Sequence, residues 1–253
     1  MIVQDLIAAL ELPASSRVDQ RIPKKLLVEN GAPTTADKRN INEGIEAIQW
    51  LASLKPSTIG VPEYRDEIRE YLEIAVLEVT LRQDAKASRL TELIHRAIPY
   101  PVVLMLNSGE GVTLSLTHIR WAQNEAGKVV LDGELVAAAL HGRCSSPDIF
   151  PAFLQALSIT RQPRASLKVL YQGWLDTLVA YQAAQITGVF ALSKTDVQAA
   201  ARRASLLACR ELEQQITTLR AAAIKEKQLA RQVALNLEIK QLQAKQQQAS
   251  ALL

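Results

Sequence analysis

The chain has 253 residues, enough for one large domain or two small ones. Apolar residues make up 48%, which excludes a disordered chain, and only 4% are aromatic, so the expected core is aliphatic. The formal charge of +3 is too mild for a dedicated nucleic-acid binder, and it is unevenly placed: from Thr195 onward nine Lys or Arg face five Asp or Glu, leaving about −1 on the first 194 residues.

Residues 2–10 read as a short helix stopped before Pro13, and residues 15–23 as an irregular connector. The basic run Arg21-Ile-Pro-Lys-Lys opens a short segment closed by Gly31 and Pro33. Thr35 or Asp37 is positioned to cap a helix whose Ile41, Ile45, Ile48 and Leu51 recur at three- and four-residue steps, ending at Lys55-Pro56. Residues 71–81 are aliphatic and β-branched on both parities, the pattern of a central strand covered on both faces. Ser88 begins a helix with Leu90, Leu93, Ile94 and Ala97 as its apolar stripe, and Pro99 stops it. A buried strand follows at residues 100–107, then a glycine-containing hairpin loop at 108–111. In the next strand Val112, Leu114 and Leu116 alternate with Thr113, Ser115 and Thr117, predicting one buried face and one wet or lightly covered face. Residues 124–127 form a turn into a third strand of this meander, beginning at 128–131.

Beyond Leu135 the chain is expected to be helical, with a loop at 142–147, a short helix at 149–157 and a longer one from Ser166. The last glycine is Gly188 and the last proline Pro163, and the remainder is dominated by good helix formers. A single helix from Thr195 to about residue 248 would run roughly 80 Å and could not bury its apolar side within a small domain. Leu212, Ile216, Leu219 and Ala223 keep one rhythm. Leu235, Ile239 and Leu242 repeat it on a shifted phase, bridged by Ile224, Leu229 and Val233. A regular coiled coil would hold one phase, so the pattern favours a helical hairpin or multi-helix contact, with a break near residues 224–227. The expected class is therefore α+β: a mixed sheet with packed helices over residues 1–141, then a helical region over 148–253 ending in a long helix or hairpin.

No catalytic constellation is legible. His95, His118 and His141 lack metal-ligand spacing; His95, late in its helix, would suit the helix dipole as a cation, and His118 extends the buried parity of its strand. Glu73 and Glu78 on a strand before a helix have the outline of a metal-dependent nuclease. The position after Glu78-Val79 is Thr80, where that chemistry needs lysine, and only Asp66 offers an upstream carboxylate. There is no GxSxG or P-loop motif. Cys144 and Cys209 read as free thiols of a reducing compartment. The N-terminus lacks the basic region of a signal peptide, and residues 167–192, the most apolar stretch, carry Lys168 and Asp176. A cytoplasmic chain with no membrane span, cofactor or metal is expected.

Two surfaces carry functional expectations. Leu212, Ile216, Leu219, Val233, Asn236, Ile239 and Leu242 form the apolar side of the C-terminal arm, with Asn236 placed to fix register if buried; they are the expected partner-binding residues. Arg21, Lys24 and Lys25 near the N-terminus, and Arg202, Arg203 and Arg210 along the arm, are candidates for weak, salt-sensitive phosphate contact.

Arg21-Ile-Pro-Lys-Lys at 21–25, Ala-Ile-Pro-Tyr-Pro-Val-Val-Leu-Met-Leu at 97–106, and residues 226–242, with Glu226-Lys227-Gln228 and Leu235-Asn236, together resemble the prokaryotic family called domain of unknown function 4391. The resemblance covers about residues 8–245; Leu229-Ala230 stands where the family usually has an aromatic residue. The family has no assigned activity. The resemblance implies an accessory subunit of a helicase–DNA methyltransferase complex of restriction or anti-phage type. The expectation is a non-enzymatic interaction subunit that binds such a partner, or a second copy, through its arm. A DNA-contacting module, and less so a metal-dependent nuclease, are the alternatives.

Overall fold

The computed structural model describes residues 2–109, 111–123, 128–140 and 147–253. His141, Cys144, Glu110, the turn at 124–127 and most of the loop at 142–147 lie outside the described residues. The chain divides into two compact units, Met1–Leu178 and Val179–Leu253.

The first unit is built on a six-stranded mixed sheet. Its elements are α1 (Ile2–Ala9), β1 (Arg17–Arg21), α2 (Lys24–Gly31), α3 (Thr35–Gly44), β2 (Ile45–Leu54), α4 (Pro56–Ile59), β3 (Tyr64–Arg65), β4 (Glu70–Tyr71), β5 (Ile74–Leu81), α5 (Ala87–Ala97), β6 (Val102–Asn107), β7 (Val112–Trp121), β8 (Val129–Leu140), α6 (Ile149–Ala156) and α7 (Leu167–Thr187), whose last turns belong to the second unit. The strand order is β1-β2-β5-β6-β7-β8, and β3 and β4 form a separate ribbon. Only β5 and β6 are parallel, joined by α5; β6, β7 and β8 form an antiparallel meander.

Both faces of the centre are buried, as the continuous aliphatic runs require. Ala75, Leu77, Val79 and Leu81 of β5 and Val102, Leu104 and Leu106 of β6 form one core with Leu27, Ile41, Leu90, Leu93 and Ile94 from α2, α3 and α5. The opposite parity, including Ile74, Val76, Val103, Met105, Leu114 and Leu116, is equally buried. On that side the start of α7 brings Tyr171 to the sheet.

Several local expectations are corrected. The connector at 15–23 contains β1, which pairs with β2 at the sheet edge. The helix expected up to Leu51 ends at Gly44, capped by Thr34 through Asp37 N–H (3.1 Å), and Ile45 starts a strand. Irregularities in the β2–β5 register let Ile45, Ile48 and Trp50 all reach the same core despite helix-like spacing. The strand expected at 71–81 is interrupted after Tyr71, and β5 proper starts at Ile74. The alternating face of β7 is not wet: Ser115 and Thr117 are buried, the former bonded to His95 of α5. The alanine-rich run after Leu135 continues β8 to Leu140, because β7 offers ten residues of pairing edge and backbone pairing overrides helix propensity.

The second unit contains α8 (Asp196–Lys225) and α9 (Leu229–Ser250), which pack along each other as a hairpin. The expected break near 224–227 falls at residues 226–228.

Candidate functional site

Thr195 caps α8 by accepting Gln198 N–H (3.2 Å), and Glu226, in extended conformation, ends it. The Glu226 carboxylate then accepts Gln228 N–H (2.8 Å), fixing a tight connection into α9. Gln232 Nε2 donates to the Ala223 carbonyl (3.2 Å) and Gln246 Nε2 to Glu213 (2.8 Å). These bonds set an antiparallel register with Ile216 near the level of Leu242 and Leu219 near Ile239. The two apolar stripes of shifted phase are thus the two sides of one seam, and the phase change is the turn.

Ile216 and Ile239 are buried, and Leu212, Leu219 and Leu242 are half-buried. Val233 and Asn236 are exposed, so Asn236 does not fix the seam's register. The sequence reading singled out Val233 but missed Leu237. Leu229, Val233 and Leu237, at 74%, 51% and 57% exposure, form an outward row at four-residue steps, with Ile224 at 83% beside the turn. The signal was present in the spacing but belonged to neither seam stripe.

Arg202 and Arg210 of this unit are engaged internally. Arg202 Nη1 donates to the Ala191 carbonyl (2.6 Å) and Nε to the Leu253 carbonyl (3.3 Å); Arg210 donates to Gln182 (2.7 Å); Arg203 also has a partner. At the sheet end, Lys24 Nζ donates to the Asn42 carbonyl (3.2 Å), while Lys25 pairs with Glu29 at the surface. Arg82, which sequence reasoning did not single out, is tied by its backbone N–H to Gly44 (2.8 Å). Arg21 and Lys24 line a shallow groove with Ile22, Pro23 and Glu46. Partial burial, then Arg82 and Arg21, hold the Lys24 ammonium below its ordinary pKa, and Glu46 opposes them. Neither Arg21 nor Arg82 forms an ion pair among the described residues.

His95, His118, Glu73 and Asp66 are held in hydrogen bonds and ion pairs within the fold. His95 is fully buried; its Nε2 meets Ser115 Oγ at 3.0 Å, its Nδ1 has no partner among the described residues, and burial pushes its pKa down to about 3. It is a neutral core residue, which corrects the dipole-facing cation expected from sequence. His118 Nδ1 accepts a hydrogen bond from the Tyr71 hydroxyl, and its Nε2 donates to Gln172 (2.8 Å), whose amide donates to Asp176 (2.9 Å). Rings of Tyr64, Tyr71 and Tyr171 surround this chain, and Lys168 lies 4.3 Å over Tyr64. Glu73 is taken up by Ser53 (2.6 Å) and Lys55 (3.2 Å), and Asp66 by Tyr64, Arg69 and two backbone N–H groups. Glu78 faces Gln49 and Met105 on neighbouring strands. Among the described residues no three His, Cys, Asp or Glu converge to hold a metal, and no helix is long and apolar enough to cross a membrane. Cys209 is a buried free thiol whose pKa burial raises.

The fold and arm define an α+β sheet protein extended by a helical hairpin. Residues 10–245 match the family model described as domain of unknown function (DUF4391), and the chain belongs to that family. Neither a curated relative nor a solved structure matches it.

Proposed function

We propose that this protein is a non-enzymatic accessory subunit of the cytoplasm that assembles with other proteins through the α8–α9 hairpin. The supporting observation is the outward apolar row Leu229, Val233 and Leu237 on a helix whose other side is already committed to α8. A helix apolar on opposite sides calls for a neighbour on each, and the hairpin supplies one. The family resemblance directs the search to a helicase–DNA methyltransferase complex of restriction or anti-phage type. The test is co-purification of the full chain with such a helicase or methyltransferase subunit. Leu229→Glu combined with Leu237→Glu is expected to abolish association while helicity by circular dichroism stays unchanged; undiminished association rejects the reading.

A second reading, contact with a nucleic-acid backbone, draws support from the sheet end rather than the arm. There Arg21, Lys24 and Arg82 cluster beside a single carboxylate, Glu46, whereas Arg202 and Arg210 of the arm are engaged with polar groups of their own unit. Binding that ignores Arg82→Glu, or that does not weaken with salt, rejects it.

A further inference from the structure

Three cations from three separate elements meet around the last turn of α3. Lys24, at the start of α2, donates its Nζ to the Asn42 carbonyl (3.2 Å), and the Arg82 N–H, just past β5, donates to the Gly44 carbonyl (2.8 Å). Arg21 ends β1 opposite Gln49 of β2 and lines one groove with Lys24 and Glu46. Among the described residues the Arg21 and Arg82 side chains make no hydrogen bond or ion pair, and Lys24 retains further donors. Glu46 shares the groove yet forms no ion pair with any of them. The other charges around the cluster cancel: Lys25 pairs with Glu29 and Arg39 with Glu43, and Asp84 lies between Arg82 and exposed Lys86 in the chain. Three cations and one carboxylate thus leave a charge of +2 at this corner of the sheet.

We propose that this corner binds a terminal phosphate monoester, the end group of a nucleic-acid strand, with Arg21, Lys24 and Arg82 each donating to it. The inference rests on the nucleic-acid reading above and names the group that its cations hold. Two features select a monoester over a phosphodiester within a strand. The first is charge. A monoester carries close to two negative charges at neutral pH and presents three terminal oxygens, which matches +2 delivered by three donors, whereas a backbone phosphodiester brings a single charge. The second is placement. Contact along a strand needs cations spaced as its phosphates are, and these converge on one turn of chain. The carbonyl end of α3 would repel an anion, but Asn42 and Gly44 there already accept from Lys24 and Arg82. The residues lining the groove include no aromatic ring to stack a base, so the phosphate is the group recognised. A bound dianion also relieves the like-charge repulsion that, after partial burial, lowers the Lys24 pKa.

Fluorescence anisotropy of the full chain with two labelled DNA duplexes of one sequence, one ending in a phosphate and one in a hydroxyl, tests this. The phosphorylated duplex should bind roughly tenfold more tightly near neutral pH. That advantage should fade as pH drops through about 6, where the monoester takes up its second proton. Arg21→Gln or Arg82→Gln, at exposed positions, should erase the advantage with helicity by circular dichroism unchanged, and Glu46→Gln should increase it. A phosphate preference that survives both arginine substitutions overturns the proposal. Adenosine monophosphate that competes at the same concentration as the duplex end assigns the site to a free nucleotide and overturns the strand as its ligand. Equal affinity for the two duplexes, lost together on Arg82→Gln, overturns the monoester and leaves the backbone reading standing; binding of neither duplex overturns both.

Discussion

Tyr171 shows how one side chain can complete a sheet. The β6–β7 ladder runs from Leu104–Ser115 to Asn107–Val112, so Val102 and Thr117 lie beyond its last pair. The Tyr171 hydroxyl lies 2.8 Å from the Val102 carbonyl and 3.0 Å from the Thr117 carbonyl, and accepts Thr117 N–H at 3.0 Å. Tyr171→Phe leaves those groups buried without a partner and should cost about 1–3 kcal/mol in urea unfolding. His95 gives a pH signature. Its folded pKa, depressed by burial to about 3, lies below the unfolded value of 6.5, so its contribution is complete above about pH 6.5 and declines as pH falls toward 3. The slope approaches about 1.4 kcal/mol per pH unit in that window. Asp37 and Asp66, both held down at about 2, lose their contribution only below the ordinary carboxylate value of 3.8. Unfolding midpoints between pH 7 and 5 therefore isolate the histidines, and His95→Gln should remove up to roughly 2 kcal/mol of the wild-type loss over that range. None of this was legible in the sequence: a histidine four residues before Pro99, and a tyrosine in an apolar helix, look the same buried or exposed.

At the scale of elements, Gly31 marks the closest approach of α2 to α5. A methyl group there would meet Ala97 Cβ at 2.5 Å and the Leu93 carbonyl at 2.7 Å, and the latter is backbone that cannot swing aside. Gly31→Ala should destabilise by about 1–3 kcal/mol despite its better helix propensity, as thermal denaturation would show. The sequence displayed Gly31 only as the end of a segment, since closeness between helices far apart in the chain has no local signature. The central strands and α5 were legible because both-face burial leaves unbroken aliphatic runs. The edge strands were not: β1 is exposed along its whole length, and the last part of β8 is built of alanines that favour helix until β7 supplies a pairing edge. The hairpin was legible through its shifted apolar phase, whereas the separation of seam residues from outward residues required the register.

At the scale of the whole molecule, the net charge of +3 does not describe where an anion would be met. The arm holds the excess of basic residues, yet Arg202 and Arg210 are engaged within their own unit; the exposed positive cluster is at the sheet end. If the chain meets duplex DNA, Arg82→Ala should lower the slope of log affinity against log salt by about one, and Arg210→Ala, at an arginine already donating to Gln182, should leave it unchanged. The arm's seam residues make the hairpin, and its outward residues are those proposed to make the assembly. A photo-activatable cross-linker placed at position 237 of the full chain, with a control at exposed Glu63, addresses this directly. The account predicts adducts from position 237, mapped by mass spectrometry to a second copy or to a helicase or methyltransferase subunit, and none from position 63; adducts from position 63 with none from 237 would contradict it.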